Sequence, residues 1–236
     1  VLIENMRREG FEIGVSRPEV IKKEIDGEIL EPFEQVVIDI EEQHQGSVME
    51  EFGARRAELS NMELDGKGRV RLEFIVPSRG LIGFRSQFLT MTSGSGIMTS
   101  IFDRYAPVKQ GDLAKRQNGV LVSMVKGKTL AYALFNLQER GRLFLGHGAD
   151  VYEGQVIGLH ARSNDLPVNP TKAKQLTNIR AAGTDENLVL SPPINHSLEQ
   201  ALEFIEDDEL VEVTPKSVRI RKKLLKENER KRAPKF

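Results

Sequence analysis

Val36-Val37-Ile38-Asp39-Ile40-Glu41 alternates apolar residues with more polar ones, which is the period-two pattern of a β-strand with one buried face. The stretch that follows, Ser47-Val48-Met49-Glu50, has the form of a capping box. In such a box the Ser hydroxyl and the Glu carboxylate each satisfy an exposed backbone N–H group at the start of a helix. We therefore expect a strand that leads directly into a helix.

Further strands and a second helix are predicted in the same part of the chain. Residues 58–64 and 70–76 are predicted strands, a helix is predicted to begin at Pro77-Ser78, and residues 97–102 begin a fourth strand. The order βαββαβ is that of a ferredoxin-like domain, which we assign to residues 31–108. Because crossover connections are right-handed, both helices should cover one face of a four-stranded sheet.

After residue 108 the pattern changes to short apolar strands between turn signals. One helix is predicted, and it begins with a second capping box, Ser197-Leu198-Glu199-Gln200. The predicted strands are residues 120–125, 129–137, 142–144, 155–161, 186–190, 210–213 and 217–221. The predicted fold class is therefore α+β, with the ferredoxin-like domain followed by a mostly β, barrel-like domain (109–236) that contains one helix.

The overall composition is that of an ordinary globular protein, with 236 residues, 39% of them hydrophobic and 29% charged. No apolar run approaches the roughly 20 residues that cross a bilayer, so no membrane partner is expected. The absence of cysteine excludes disulfides and thiolate metal sites, and it fits a reducing compartment. We predict a cytoplasmic, monomeric protein.

The charge is distributed unevenly along the chain. Residues 1–108 contain 13 basic and 19 acidic residues, a net charge of −6, whereas residues 109–236 contain 21 and 16, a net charge of +5. The second half is thus the better partner for a polyanion. It ends in a basic tail, residues 222–236, and we interpret the acidic run Glu206-Asp207-Asp208-Glu209 as a solvated helix end that faces this tail.

The first residues have the pattern of an amphipathic helix that is already under way. Val1 to Arg8 have apolar residues at helical spacing but no initiator Met and no capping residue ahead of them. Residues 1–27 are too few to bury a core alone. We expect a further segment upstream and interpret residues 1–27 as the remnant of a preceding domain.

Two segments resemble catalytic motifs, but the residues around them do not fit those motifs. Gly127-Lys128-Thr129 resembles the end of a phosphate-binding loop, but position 122 is Val where such a loop needs Gly, and Thr129 is predicted to open a strand rather than a helix. His147 lies between two glycines, which is typical of a tight turn. No nucleophile and base share a motif, so we predict no catalytic residue, metal site or cofactor in this chain.

Residues 162–180 form a polar loop with almost nothing apolar to fold on itself. Its Lys, Arg, Ser, Asn and Gln side chains suit contacts with phosphate and sugar groups. From composition alone, an ordinary solvated loop is an equal interpretation.

Four stretches resemble signature motifs of the BipA/TypA family of ribosome-associated translational GTPases. They are Glu42-Gln43-His44-Gln45-Gly46-Ser47-Val48-Met49, Pro77-Ser78-Arg79-Gly80-Leu81-Ile82-Gly83-Phe84-Arg85, Leu143-Phe144-Leu145-Gly146-His147-Gly148-Ala149 and Arg180-Ala181-Ala182-Gly183-Thr184-Asp185-Glu186. The resemblance covers essentially the whole chain. It implies that residues 1–27 correspond to the end of the domain III shared with elongation factor G, residues 31–108 to its domain V, and residues 109–236 to the C-terminal domain peculiar to the family.

The resemblance also implies a function. The family acts in large ribosomal subunit assembly and in regulating translation under stress or low temperature, and its GTP and Mg bind in an N-terminal GTPase domain that this chain lacks. The expected partners are the ribosome, through large-subunit rRNA and A-site tRNA, and the protein's own N-terminal domains. This chain is then the RNA-binding half, and not itself an enzyme.

The resemblance assigns the loop 162–180 to RNA contact, with basic residues on nearby turns as further contacts. The predicted RNA-binding residues are Arg162, Ser163, Asn164, Lys172, Lys174, Gln175, Asn178, Arg180, Lys126, Lys128, Arg140 and Arg142. Arg79 and Arg85, at the start of the second helix of the ferredoxin-like domain, are weaker predictions for ribosome docking. The alternative function is a βαββαβ small-molecule sensor, which would need a glycine-rich effector cleft and no basic loop.

Overall fold

The computed structural model describes residues 1–111, 116–173 and 188–233. They form two compact units. The first unit joins Val1–Arg17 to Arg116–Phe236, and the second unit is Pro18–Lys115. The N-terminal segment is therefore split, because residues 1–17 pack with the C-terminal half of the chain and the residues that follow do not.

Helices and strands are numbered along the chain. They are α1 Leu2–Arg8, β1 Ile13–Val15, β2 Lys23–Ile25, β3 Glu28–Glu41, α2 Gln45–Ala54, β4 Glu58–Leu64, β5 Arg69–Pro77, α3 Ser78–Leu81, α4 Phe84–Met91, β6 Ile97–Pro107, β7 Val120–Ser123, β8 Gly127–Lys128, α5 Ala131–Gln138, β9 Gly141–Leu143, β10 Asp150–Val151, β11 Gln155–His160, β12 Leu166–Val168, α6 Leu198–Phe204, β13 Glu209–Val213, β14 Val218–Lys222 and α7 Glu227–Arg232. Within the described ranges, none of the helices has the length and apolar character needed to cross a bilayer.

The second unit has the predicted βαββαβ order. Its sheet runs β4-β5-β3-β6, with β2 as an additional strand on β3, and all of these pairs are antiparallel. Val36, Ile38 and Ile40 are fully buried under the helices together with Phe52 of α2 and Phe84 of α4. The alternation of β3 therefore identified the core face correctly, and the ferredoxin-like prediction is confirmed.

The helix boundaries of this unit differ from the prediction in two places. The prediction of a capping box at Ser47 is wrong, because α2 begins earlier, at Gln45. The Ser47 hydroxyl instead donates to the carbonyl of His44 at 3.0 Å. The second helix is broken into α3 and α4. Gly83, between them, has a left-handed φ of 73°, which ends one helix and begins the next.

The first unit contains one seven-stranded sheet. Its path is β1-β13-β14-β11-β7-β12, with β9 also paired to β11. Among the strands described in this sheet, only β12 runs parallel to its partner, β7. Within the described residues the two ends of the path do not pair, so the barrel-like domain is more open than a closed barrel.

Both faces of this sheet are covered. Val120 and Val122 of β7 pack in a cluster with α6, while Leu121 packs in a second cluster with Leu134 of α5. All four residues of β7 are buried as a result. A strand that is buried on both faces shows no alternation in its sequence.

Two predicted strands are wrong, because residues 188–190, the described part of the predicted strand 186–190, are not in a strand, and residues 129–137 are not one either. Residues 129–137 are mostly the helix α5, in which Leu134 and Leu137 follow the N-cap residue Leu130 at helical spacing and Ala supplies high helix propensity. Together with α6 and with α7 in the basic tail, the described part of residues 109–236 has three helices rather than one. The α+β class with mostly strands is confirmed.

Candidate nucleic-acid interface

The predicted RNA-binding residues that the structure describes are all exposed side chains of the first unit. They are Arg162, Ser163, Asn164, Lys172, Lys126, Lys128, Arg140 and Arg142. The other four predictions, Lys174, Gln175, Asn178 and Arg180, lie outside the described residues. Residues 162–173 of the predicted loop 162–180 can therefore be compared with the prediction, and they contain the strand β12, whereas residues 174–180 cannot be compared.

One group of these residues lies before β12 and is called the bend group here: Arg162, Ser163, Asn164, Arg140 and Arg142. The chain makes a bend at residues 161–164. The N–H of Ala161 donates to the carbonyl of Arg140 at 2.9 Å, and Arg142 in β9 lies opposite Leu159 in β11. The neighbouring strands thus bring residues 140–142 beside the bend.

A second group lies near the C-terminal end of β12 and is called the turn group: Lys126, Lys128 and Lys172. The N–H of Met124 donates to the carbonyl of Val168 at 2.9 Å, and the N–H of Leu130 donates to the carbonyl of Pro170 at 3.0 Å. These bonds hold the segments 124–130 and 168–172 side by side. The three lysines are exposed along this pair of segments.

The two groups occupy opposite ends of β12. An extended chain rises about 3.3 Å per residue, so the eight residues from Asn164 to Lys172 span at most about 26 Å. The strand β12 lies between the two groups, so the basic residues form two patches rather than one cluster. Two patches on the same strand can contact different phosphates of an RNA.

A buried ionic cluster lies beneath the bend group. Glu209 is fully buried, and both of its carboxylate oxygens accept from the guanidinium of Arg116, at 2.9 and 3.0 Å. The ammonium of Lys222, whose side chain is 3% exposed, lies 3.0 Å from Glu209, 2.8 Å from Asp208 and 2.6 Å from Asp165. Asp165 directly follows the bend.

The cluster corrects the interpretation of residues 206–209 as a solvated helix end. They do face the basic tail through Lys222, but Glu209 is inside the protein. Burial alone would raise the pKa of Glu209, yet the hydrogen bonds and charge of Arg116 lower it below its ordinary value. Burial alone would likewise lower the pKa of Lys222, and the three carboxylates raise it instead. Both groups are therefore charged at neutral pH.

No local pattern in the sequence marks this cluster. Arg116, Asp165, Glu209 and Lys222 are spread over more than 100 residues, and each is of a type that usually lies at the surface. Their convergence follows from the pairing of β13 with β14 and of β11 with β14, which brings the ends of these strands together.

In the second unit, Arg79 and Arg85 have different environments. The Nε of Arg79 donates to the buried carboxylate of Glu31 at 2.6 Å, and its terminal nitrogens donate to the carbonyls of Lys109 and Gly111. Arg79 is therefore occupied within its own unit, whereas Arg85 is exposed at the start of α4.

The segment Gly127-Lys128-Thr129 is followed by a helix after all, since α5 begins at Ala131. Two other features still distinguish this segment from a phosphate-binding loop. Position 122 is Val where such a loop needs Gly, and Lys128 pairs with Asp150 in a two-stranded ladder. The Thr129 hydroxyl donates to the carbonyl of Gly146 at 2.7 Å and accepts from the N–H of Ala149 at 3.0 Å. These bonds give Thr129 a structural role.

The cavity that the structure shows lies outside the βαββαβ unit, and the described residues hold no metal cluster. Across residues 1–111, 116–173 and 188–233, no group of three or more His, Asp or Glu side chains is arranged to hold a metal. A cavity of about 630 Å³ does occur, but it lies in the first unit, lined by α1, the start of α6 and the start of β14.

Comparison with known proteins identifies two consecutive domains. Residues 118–227 match the sequence model of the TypA/BipA C-terminal domain, and residues 28–116 match that of the elongation factor G C-terminus. A solved structure from Thermus thermophilus matches 34% of this chain and 12% of that chain at 26% identity with a TM-score of 0.33, which is too slight a similarity to inform on the fold.

Several bacterial relatives are similar along the chain. It is 65% identical to the "Large ribosomal subunit assembly factor BipA" of Salmonella typhimurium (strain LT2), 66% identical to that of Escherichia coli (strain K12) and 64% identical to that of Haemophilus influenzae. Each alignment covers 99% of this chain but 38% of the relative. The chain thus spans well under half the length of these relatives.

Proposed function

The chain belongs to the TypA/BipA family, and on that premise we propose that it is a ribosome-binding module that contacts large-subunit rRNA and A-site tRNA. The named relatives are assembly factors of the large ribosomal subunit, and this role is proposed for the protein to which the chain corresponds. The observation that carries the proposal is the pair of exposed basic patches at the two ends of β12.

Electrostatics supports a polyanionic partner. The bend group contributes three arginines and the turn group three lysines, all exposed, on the half of the chain whose net charge is +5. Contacts of this kind with phosphates are independent of sequence and fix the orientation of the protein on the RNA. Lys174 and Arg180 belong to the same proposal on the strength of sequence alone.

The GTPase chemistry is proposed to reside elsewhere in the relatives. The chain matches C-terminal domains and covers 38% of their length, so GTP and Mg would bind in the part that it does not match. The chain itself would then contribute targeting to the cytoplasmic ribosome and not catalysis.

Co-sedimentation with isolated large and small ribosomal subunits at two salt concentrations tests the proposal. We expect binding to the large subunit, with a logarithmic salt dependence that becomes shallower by about 0.7–0.9 for each phosphate contact removed. Arg162→Ala and Lys172→Ala remove one exposed charge from each patch. Lys216→Ala, on the β13–β14 turn, removes an exposed charge outside both patches and is the matched control.

Because the two patches are separate, the losses caused by Arg162→Ala and Lys172→Ala should add in the double variant. Affinity and salt slope that stay unchanged in both single variants would contradict the assignment of the interface. Equal binding to the two subunits would contradict the assignment of the partner.

A further inference from the structure

The bend before β12 is held by close backbone contacts. The N–H of Gly119 donates to the carbonyl of Arg162 at 2.7 Å, and Nδ1 of the buried His160 lies 2.5 Å from the carbonyl oxygen of Asn164. A Cβ atom at Gly119 would lie 2.2 Å from the carbonyl of Asn164, so only glycine permits this approach. The backbone of the bend is therefore fixed while its side chains are exposed.

Asp165 joins this bend to two strands of the sheet. Its Oδ1 accepts the N–H of Val120 at 2.9 Å, at the start of β7. Its Oδ2 lies 2.6 Å from the ammonium of Lys222, at the end of β14. One carboxylate thus fixes the residue that follows the bend from two directions.

The side chain of Lys222, which forms the ion pair with Asp165, is itself held in place by other contacts. Lys222 is buried, and its ammonium is surrounded by the carboxylates of Asp165, Asp208 and Glu209, the last of which is clamped by Arg116. The arrangement also has an electrostatic consequence. A free carboxylate beside the bend would repel phosphate. The ion pair with Lys222 compensates the negative charge of Asp165, so the positive charge of Arg162 can attract phosphate.

We infer that Asp165 is a positioning residue of the RNA interface, which holds Arg162, Ser163 and Asn164 in a preformed geometry without itself contacting RNA. The inference rests on the proposed function, because it concerns the same surface. A preformed bend loses less conformational freedom when it binds, and this smaller entropic cost increases affinity.

The cluster contains a matched control for this role. Asp208 is bonded to the same ammonium as Asp165, and the two side chains are 41% and 39% exposed. Asp208 precedes β13, however, and has no contact with the bend among the described bonds. Asp165→Ala and Asp208→Ala therefore remove similar ion pairs, but only the first one releases the bend.

The experiment measures three properties of the whole chain and of each variant: affinity for isolated large ribosomal subunits, amide hydrogen exchange at residues 161–165, and thermal unfolding. We expect both variants to lower the unfolding temperature. Only Asp165→Ala should accelerate exchange in the bend and weaken binding, by about tenfold if the loss corresponds to one or two hydrogen bonds. If Asp165→Ala fails to fold, Asp165→Asn retains an acceptor for Val120 and removes the charge.

A double-variant cycle with Arg162→Ala separates positioning from a general loss of structure. If Asp165 acts through the bend, Asp165→Ala should cost much less affinity in the Arg162→Ala background than in the unmodified chain. Full additivity, or equal binding losses in the Asp165 and Asp208 variants, would overturn the inference while leaving the proposed function intact. Failure of the unmodified chain to bind large subunits would overturn both.

Discussion

The guanidinium of Arg79 and the carboxylate of Glu31 form an ion pair at 2.6 Å in which the carboxylate is completely buried. The backbone N–H of Lys109 adds a second bond to Glu31 at 2.8 Å. The pair ties the start of α3 to β3 and to the chain that leaves β6. Loss of this pair should therefore lower the stability of the second unit, and it should have less effect on ribosome binding.

Arg79→Ala is expected to destabilise the second unit by about 3 kcal/mol, because it leaves a buried carboxylate without its counter-charge. Urea unfolding followed by circular dichroism measures the change. Arg71→Ala is the matched control, since Arg71 makes a bidentate bond to Asp39 at the surface, where water screens the pair. A similar loss in both variants would show that burial of Glu31 is not the cause.

His196 should make the first unit sensitive to mild acid. Its ring packs edge-to-face against Phe144, with centroids 4.7 Å apart, and its buried Nε2 has no hydrogen-bond partner within the described part of the chain. Burial lowers the pKa of His196 below its ordinary value of 6.5. The unfolded chain therefore binds a proton more readily, so stability is complete above pH 6.5 and falls as the pH drops below it.

His196→Phe should fit the same aromatic cluster and flatten this dependence between a pH of about 6.5 and the range in which carboxylates titrate. Thermal unfolding across that range is the measurement, and His147→Gln, which removes an exposed histidine, is the control. An identical pH dependence in His196→Phe and the unmodified chain would rule out His196 as the sensitive group.

Gly141 should not tolerate any side chain. A Cβ atom there would lie 1.8 Å from the carbonyl oxygen of Leu159 in the neighbouring strand β11, which cannot move without disturbing the ladder. Gly141→Ala is expected to cost roughly 1–3 kcal/mol of unfolding free energy, or more if β9 detaches.

The control for this prediction is Gly146→Ala, because a Cβ at Gly146 meets nothing within 4 Å. There the substitution should be neutral or stabilise by up to about 1 kcal/mol, since it restricts the unfolded chain. Equal unfolding midpoints in the two variants would contradict the close approach of β9 to β11.

The two capping-box sequences should respond differently to the same substitution. Ser197 accepts from the N–H of Gln200 at 3.2 Å, and the Gln200 side chain accepts in return from the N–H of Ser197 at 2.9 Å. Ser197→Ala should therefore cost about 1 kcal/mol in urea unfolding. Ser47→Ala should have little effect, because Ser47 lies inside α2 and caps nothing. A loss as large at Ser47 would contradict the observed start of α2.

The ferredoxin-like unit could be predicted because its core residues are local in sequence. Val36, Ile38 and Ile40 face the helices, while Asp39 and Glu41 face away, so the pleat is visible as alternation. Its four strands also follow one another within residues 28–107. The start of α2 and the break between α3 and α4 at Gly83 were not predictable, because each depends on the local backbone geometry.

The first unit was harder to predict because its pattern is not local. Burial of β7 on both faces removes the alternation, and Leu130 to Leu137 could be assigned to a strand or to a helix from apolar content alone. The polar composition around Arg162 was enough to predict an exposed segment there. Its support by Asp165 and Lys222 was not predictable, because these residues are 57 positions apart.

The pairing of β1 with β13 determines the order in which the chain can fold during synthesis. Ile13 lies opposite Val213, so at 5–20 residues per second the ribosome delivers the partner strand roughly 10–40 s after the first. The second unit, whose strands all lie within residues 23–107, can be complete long before then. Strand β1 cannot pair with β13 before then, so this pairing is a late step of biogenesis.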